Sequence, residues 1–362
     1  MSKNTEPIAS ENPLQKMKVG RALYPIIIGL GVVGYMFYRE FDPEALKIIR
    51  FNNWSFFWLG IAIVLMAFRD LGYMVRLRIL TRKKFSWVQS FRVIMLWEFT
   101  SAITPSAIGG TSIAILYVNK EGLSVGRSSA VVMATSFLDE LYFIITFPLL
   151  LLIVKSSVLF GISGHEGEIS FSNELFLFAI VGYSLKLAYV LVISYGLFIN
   201  PRGLKWLILM IFKLPFLRKW KQGANNAGTE IIESSKDFRQ MPFVFWLKAF
   251  GATALSWTSR YWVANALLLA FFATTDQFLI FARQLVMWIM MLVSPTPGGS
   301  GFAEFVFARY LGEFIPVQPA LLGAVAIAMA LIWRTATYYP YLFIGAIIFP
   351  RWIKRNFGKP KQ

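Results

Sequence analysis

The sequence predicts an all-α polytopic membrane protein with about six spanning helices and two re-entrant helical hairpins, arranged as an inverted-topology repeat. Three observations predict it. Hydrophobic residues make up 57% of the 362 residues, and several apolar runs exceed the roughly 18 residues needed to cross about 30 Å of hydrocarbon. Basic residues gather in only some of the loops between those runs. Two further apolar segments are each interrupted near the middle by proline and glycine. The alternating segments of about ten residues that mark a transmembrane barrel are absent, and no polar stretch reaches the roughly 50 residues of a soluble domain.

Taken in chain order, residues 1–21 form a polar tail. The run at 22–38 that follows has no small-residue cleavage site after it, so it is expected to be a retained span and not a signal peptide. Segments 54–75, 127–154, 174–199, 243–271 and 319–349 complete the six expected spans. Segments 88–118 and 277–318 are the interrupted ones. The result is one transmembrane domain over 22–349, with half-repeats at about 54–154 and 243–349. A basic linker over 200–241 joins them, and a basic tail covers 350–362. Within the linker, Gly203 to Lys221 carries apolar residues edged by Lys and Arg and reads as an interfacial helix, whose basic residues attract anionic lipid at about 1 kcal/mol each.

Loop charge decides how the interrupted segments run. Residues 76–87 hold five Lys/Arg, 200–241 hold eight and 350–362 hold five, which makes all three cytoplasmic, with both termini, by the positive-inside rule. Residues 155–173 hold one lysine against two glutamates, and 272–276 hold no basic residue, so these face outward. The chain is inside at 76–87 and outside by 155. The segment 127–154 already supplies that crossing, so 88–118 must return to the side it left. The same parity makes 277–318 return to the outside. The two breaks also resemble each other: AITPSAIGGTS (Ala102 to Ser112) and VSPTPGGSG (Val293 to Gly301) share Thr-Pro followed by Gly-Gly.

Non-helical backbone at membrane depth is tolerated only where protein or a water-filled cavity covers it. Interrupted segments in corresponding halves therefore point to a midplane binding site. Pro105, Pro295 and Pro297 act as hinges. After Gly109-Gly110 and Gly298-Gly299 a helix can resume, with Thr111 or Ser112, and Ser300, available as N-caps. Such half-helix N-termini carry partial positive charge and unpaired N–H groups suited to an anion, and Thr296 lies beside them.

Four arginines, Arg69, Arg260, Arg283 and Arg334, lie inside apolar segments, where a charge costs at least about 2.5–3.5 kcal/mol. Each needs an internal partner or a ligand, and the guanidinium fork suits phosphate oxygens. One reading has Arg260 and Arg334 gripping a lipid phosphate. The other pairs Arg69 with Asp70 or Asp139, and Arg283 with Glu98 or Glu304. Asp139 and Glu140 are adjacent, hence about 100° apart on a helix, so one of them is expected to line the cavity. With Glu98 and Glu304 near the breaks, these acids suit proton coupling, arginine pairing or acceptance of a headgroup amine. Lys186 and Lys248 read as snorkelling to span ends.

Other chemistry is excluded or unsupported. There are no cysteines, so disulfides, zinc thiolates and thiol nucleophiles are ruled out. The single histidine, His165, lies in a polar loop. The net charge of +17 follows from loop placement and does not indicate nucleic acid. The tryptophans and tyrosines read as interface belts. No metal or cofactor is expected, and a homo-oligomer is compatible with the sequence.

The stretch SPTPGGSGFAE, followed about 35 residues later by IWRTATYYPYLFIG, resembles the C-terminal signature of the lysylphosphatidylglycerol synthase transmembrane-region family, the flippase-like domain, with the similarity covering about 20–350. By that resemblance Pro295, Thr296, Pro297, Gly298, Gly299, Gly301, Glu304 and Arg334 carry over. In the first half, Pro105, Gly109 and Asp139 do so. Thr135 and Ser136 stand where the family usually has Glu-Arg, and Thr111 stands where an acid is frequent. Members fused to a soluble aminoacyl-transfer domain make an aminoacylated phosphatidylglycerol and move it across the membrane. This chain reaches Gln362 without such a domain, so the resemblance implies translocation of a lipid, an anionic or zwitterionic phospholipid or a polyprenyl phosphate, without the transfer reaction. The alternative from the residues themselves is a membrane-embedded enzyme using Glu98, Asp139, Glu140 or Glu304. A channel or scaffold is disfavoured because no polar pore stripe is present.

Overall fold

The computed structural model describes residue 38 and residues 47–104, 110–161, 169–214, 218, 221–274, 276–291 and 301–357. Both Pro/Gly breaks, and the expected first span at 22–38 apart from Tyr38, lie outside them. The described residues are helical and contain no strand. Among the described residues, four stretches are long and apolar enough to cross a membrane: Asn53–Leu80, Val125–Ile153, Phe176–Ile199 and Pro319–Phe357. They coincide with four of the six expected spans.

The first half begins with α1 (Asn53–Leu80), whose N-terminus is capped by the Asn52 side chain accepting from the Ser55 N–H. Next comes α2 (Trp87–Ile103), opened by a capping box in which Ser86 and Gln89 each accept the other's backbone N–H. Helices α3 (Gly110–Lys120), α4 (Val125–Ile153) and the short α5 (Ser156–Phe160) follow. Helix α6 (Ile169–Ser194) ends in a π-helical turn, Tyr195–Ile199. The linker folds as α7 (Pro201–Ile211) and α8 (Lys221–Arg239). The second half contains α9 (Phe243–Phe271), α10 (Gln277–Met290), α11 (Phe302–Leu311), α12 (Pro319–Thr337) and α13 (Tyr339–Phe357).

Three boundaries differ from the sequence reading. The helix expected at 54–75 runs on to Leu80, so Arg76, assigned above to a loop, is a buried helical residue. The helix expected to stop at 349 runs on to Phe357, interrupted at Tyr338. Pro340 explains the interruption, because it lacks an N–H and its ring clashes with the carbonyl four residues earlier. The interfacial helix stops at Ile211 rather than extending to Lys221. It leaves Trp206, Leu207, Met210 and Ile211 exposed.

Helix α9 is as long as α4, at 29 residues, yet is not among the four apolar stretches. Its buried set includes Thr253, Ser256, Ser259 and Asn265. These polar side chains face protein, because α9 forms the centre of the structure together with α1. The two helices are antiparallel: Trp54 Nε1 donates to the Leu269 carbonyl at 3.1 Å near one end, and Ser256 Oγ donates to the Arg69 carbonyl at 2.8 Å further along. Gly72 permits the close crossing, since a Cβ there would lie 2.3 Å from Ser256 Oγ and 2.6 Å from the Ala252 carbonyl oxygen.

Each half also holds a pair of antiparallel arms. In the first, Thr100 hydrogen-bonds to Tyr117, Gln89 Nε2 donates to the Glu121 carbonyl, and Arg92 pairs with Glu121 at 2.6 Å. Residues at the start of α2 thus meet those just past α3. Helix α13 covers this pair, with Tyr117 against Trp352 at 4.9 Å and Gly345 pressed under Phe99. In the second pair, Arg283 on α10 reaches the Tyr310 carbonyl at the end of α11 and pairs with Glu313 at 2.6 Å.

The two mouths lie at opposite ends of α4. The first pair leads directly into α4 at Val125. The second is tied beyond the other end of α4, where Arg283 donates to the Val158 and Gly161 carbonyls. The Val125 end is also where the linker docks, through Arg127–Asp237 at 3.0 Å and the Gly126 N–H on Glu230 at 2.7 Å.

Candidate functional site

Charged side chains along the crossing of α1 and α9 form the candidate site, and most of them pair with one another. Arg69 is fully buried. It pairs with Asp70 at 2.8 Å and with Glu98 on α2 at 2.5 Å, and its guanidinium lies between the rings of Tyr73 and Tyr341, 4.7 Å from each centroid. The Tyr341 hydroxyl donates to Asp70 at 2.9 Å. Of the two partners expected for Arg69, Asp70 is the one used.

Asp139 belongs to Arg76 instead. Arg76 donates to both its oxygens, at 2.5 and 3.1 Å, and to Thr253 at 3.2 Å, while Trp257 Nε1 donates to Asp139 at 2.7 Å. Arg69, Tyr73 and Arg76 stand at i, i+4 and i+7, which puts them on one face of α1. That spacing was the available signal for Arg76, hidden because the helix was read as ending too early. Glu140 turns the other way and meets Lys186 of α6 at 2.6 Å. Lys186 is only 4% exposed, so it does not snorkel. Its partner is the acid, and its ammonium lies over the Phe143 ring at 4.5 Å.

The remaining arginines differ. Arg283 is buried at the second mouth among carbonyls and Glu313, and neither Glu98 nor Glu304 is its partner. It ties α10 to the segment after α4 and lies away from the α1–α9 crossing. Arg334 pairs through Nε with Glu304 at 2.8 Å. The second oxygen of Glu304 accepts the Gly301 N–H at 2.7 Å. Gly301, at φ 83°, is therefore the residue that caps α11, in place of Ser300. A positive φ is the reason for a glycine there.

Arg260 is the exception. It is half-buried near the middle of α9, stacked over Trp288 at 4.3 Å and near Trp257 at 5.6 Å, and has no hydrogen bond or ion pair among the described residues. A cation–π contact recovers about 0.5–2 kcal/mol, less than the cost of placing the charge there. Stacking engages the face of a guanidinium and leaves its in-plane N–H donors for an acceptor.

Of the expected break residues, Gly110 opens α3 and faces Ser101, whose Oγ would lie 1.9 Å from an added Cβ. Thr111 lies within α3, not at its cap. Pro105, Gly109, Pro295, Thr296, Pro297, Gly298, Gly299 and Ser300 lie outside the described residues.

Long apolar helices around a charged interior define a multi-pass α-helical membrane protein. The chain matches the family described as the lysylphosphatidylglycerol synthase TM region over residues 22–345, and it belongs to that family, which is linked to lipid handling. It is also 25% identical over 333 residues to a UPF0104 membrane protein of Archaeoglobus fulgidus, an alignment covering 89% of this chain and 94% of that protein. No solved structure matches the chain.

Proposed function

We propose that the protein translocates a phosphate-bearing lipid, a phospholipid or a polyprenyl phosphate, by passing its headgroup through a cavity between two re-entrant hairpins of an inverted repeat. The carrying observation is Arg260: a cation near the centre of a central helix, without a protein anion among the described residues, while Arg69, Arg76, Lys186, Arg283 and Arg334 each have one.

Several features support the topology. Helices α2 and α3 have 17 and 11 residues, and α10 and α11 have 14 and 10. At 1.5 Å per residue, no arm exceeds about 26 Å, short of the ~30 Å core. Opposed mouths and the antiparallel α1–α9 pair fit halves inserted in opposite senses. The Val125 end carries Arg82, Arg127 and the basic linker, so it is cytoplasmic in this reading. The membrane is the cell membrane, and both termini are on the cytoplasmic side.

The chain performs no catalytic step in this reading. The acids that an embedded enzyme would use, Glu98, Asp139, Glu140 and Glu304, are each ion-paired, which favours the carrier. The test is reconstitution into liposomes with short-chain fluorescent phospholipids of several headgroups and with a fluorescent polyprenyl phosphate. Translocation of at least one of them, accelerated well above protein-free liposomes, is expected. Leaflet distributions unchanged across the whole panel by folded protein would refute the proposal, and a covalently altered lipid in mass spectra would replace it with the enzyme.

A further inference from the structure

The two halves place equivalent residues in contact but with different chemistry. Arg69 stands sixteen residues after the first residue of α1, and Arg260 stands seventeen after the first residue of α9. Glu98 and Trp288 each stand eleven residues after the first residue of their helices, α2 and α10. Within each half these two positions touch: Arg69 pairs with Glu98 at 2.5 Å, and Arg260 stacks on Trp288 at 4.3 Å. The equivalence extends one residue further. Asp70, the second acid on Arg69, corresponds to Tyr261, which follows Arg260.

So the first half surrounds its arginine with two carboxylates, and the second half replaces both with aromatic residues. From this broken pseudo-symmetry we infer that Arg260, Tyr261, Trp257 and Trp288 form an anion seat for a phosphate group, and that Trp288 keeps it open by occupying the position where the other half has an acid.

A second orphan group supports the assignment. Tyr261 is 2% exposed, and its hydroxyl has no hydrogen-bond partner among the described residues, whereas Tyr341, one of the two tyrosines stacked on Arg69, donates to Asp70. An acceptor oxygen delivered by a ligand beside Arg260 would satisfy this buried hydroxyl. The Trp257 ring lies against both groups, 5.8 Å from the Tyr261 ring and 5.6 Å from the Arg260 guanidinium. Trp257 is itself fixed by its N–H on Asp139. Two indoles against the guanidinium engage its face and leave the donor edge of the fork for phosphate oxygens. In the opposite half Asp70 and Glu98 already neutralise the arginine as ion-pair partners, so the seat is single.

This seat rests on the translocation reading only for its biological use, and its test is separate. Binding of dioctanoyl-phosphatidylglycerol to detergent-solubilised protein is measured by intrinsic tryptophan fluorescence and by isothermal titration, with dioctanoylglycerol, which has no phosphate, as control. Wild-type protein is expected to bind the first and not the second. Trp288→Glu hands Arg260 the acid of its counterpart and should weaken binding at least tenfold without lowering the melting temperature. Arg260→Lys should weaken it less than Arg260→Ala. Inorganic phosphate that competes marks the seat as specific for the phosphate group alone. Failure to compete marks the headgroup within its lipid as the ligand, and both results fit the seat. Equal binding by wild type and Trp288→Glu, or equal binding of the two lipids, overturns it. Lipid translocation that persists in Trp288→Glu would sink the seat and leave the carrier standing. Binding without translocation by wild type would do the reverse.

Discussion

Asp139 shows how much a single carboxylate can be asked to hold. It takes two bonds from Arg76 and one from Trp257, and so joins α4 to α1 and α9. Removing one member of a buried pair leaves the other charge uncompensated, at a cost of roughly 3–5 kcal/mol, while replacing both with apolar residues costs much less. Asp139→Ala should therefore lower stability by about that amount, and Asp139→Ala with Arg76→Met should recover a good part of it, measured by denaturation in detergent. The sequence pointed to Asp139 and Arg69 as residues needing partners, because a charge inside an apolar run is visible without a structure. It could not choose the partners. Arg283 illustrates the reason: its acid, Glu313, lies beyond the Pro/Gly break in the sequence, and no periodicity relates the two. The fate of Lys186 was equally hidden, since burial and the reach of Glu140 depend on how α6 lies against α4.

At the scale of elements, helix existence was legible and helix ends were less so. Residues 76–80 carry two arginines in RLRIL and look like a basic loop, yet tertiary contacts from Asp139 and Thr253 keep Arg76 inside the structure. Polar α9 was still recognisable as a long helix, but hydropathy undervalues it because its serines and threonines face protein. Loop charge suggested that each interrupted segment returns to its starting side, and this leads to a direct expectation. The native chain has no cysteine, so single replacements need no background removal. Lys84→Cys and Lys120→Cys flank the first interrupted segment, and Asp276→Cys and Gln318→Cys flank the second. The first two should be labelled by an impermeant maleimide only from the cytoplasmic face, the last two only from outside. A pair split between faces would mean that its interrupted segment crosses the membrane.

Across the whole molecule, Arg69 is held by two carboxylates and Arg260 stacks on Trp288 with no acid among the described residues, so stability and the proposed translocation should respond to them differently. Arg69→Ala leaves Glu98 and Asp70 facing each other without a cation and is expected to destabilise the protein by several kcal/mol. Arg260→Ala removes a charge that no acid among the described residues compensates. Its melting temperature should hold or rise, while the liposome translocation rate falls at least tenfold. Equal thermal losses in the two variants would show that Arg260 has a protein counter-ion after all.

The crossing at Gly72 has a mechanical side. Where a helix has no side chain at its closest contact, the two rods meet almost backbone to backbone, and that point becomes a fulcrum. Gly72 lies eight residues from one end of α1 and nineteen from the other, lever arms of about 12 and 28 Å at 1.5 Å per residue. A tilt of about 10° around such a pivot moves the short arm by roughly 2 Å and the long arm by roughly 5 Å, so leverage favours the end of α1 that begins at Asn53.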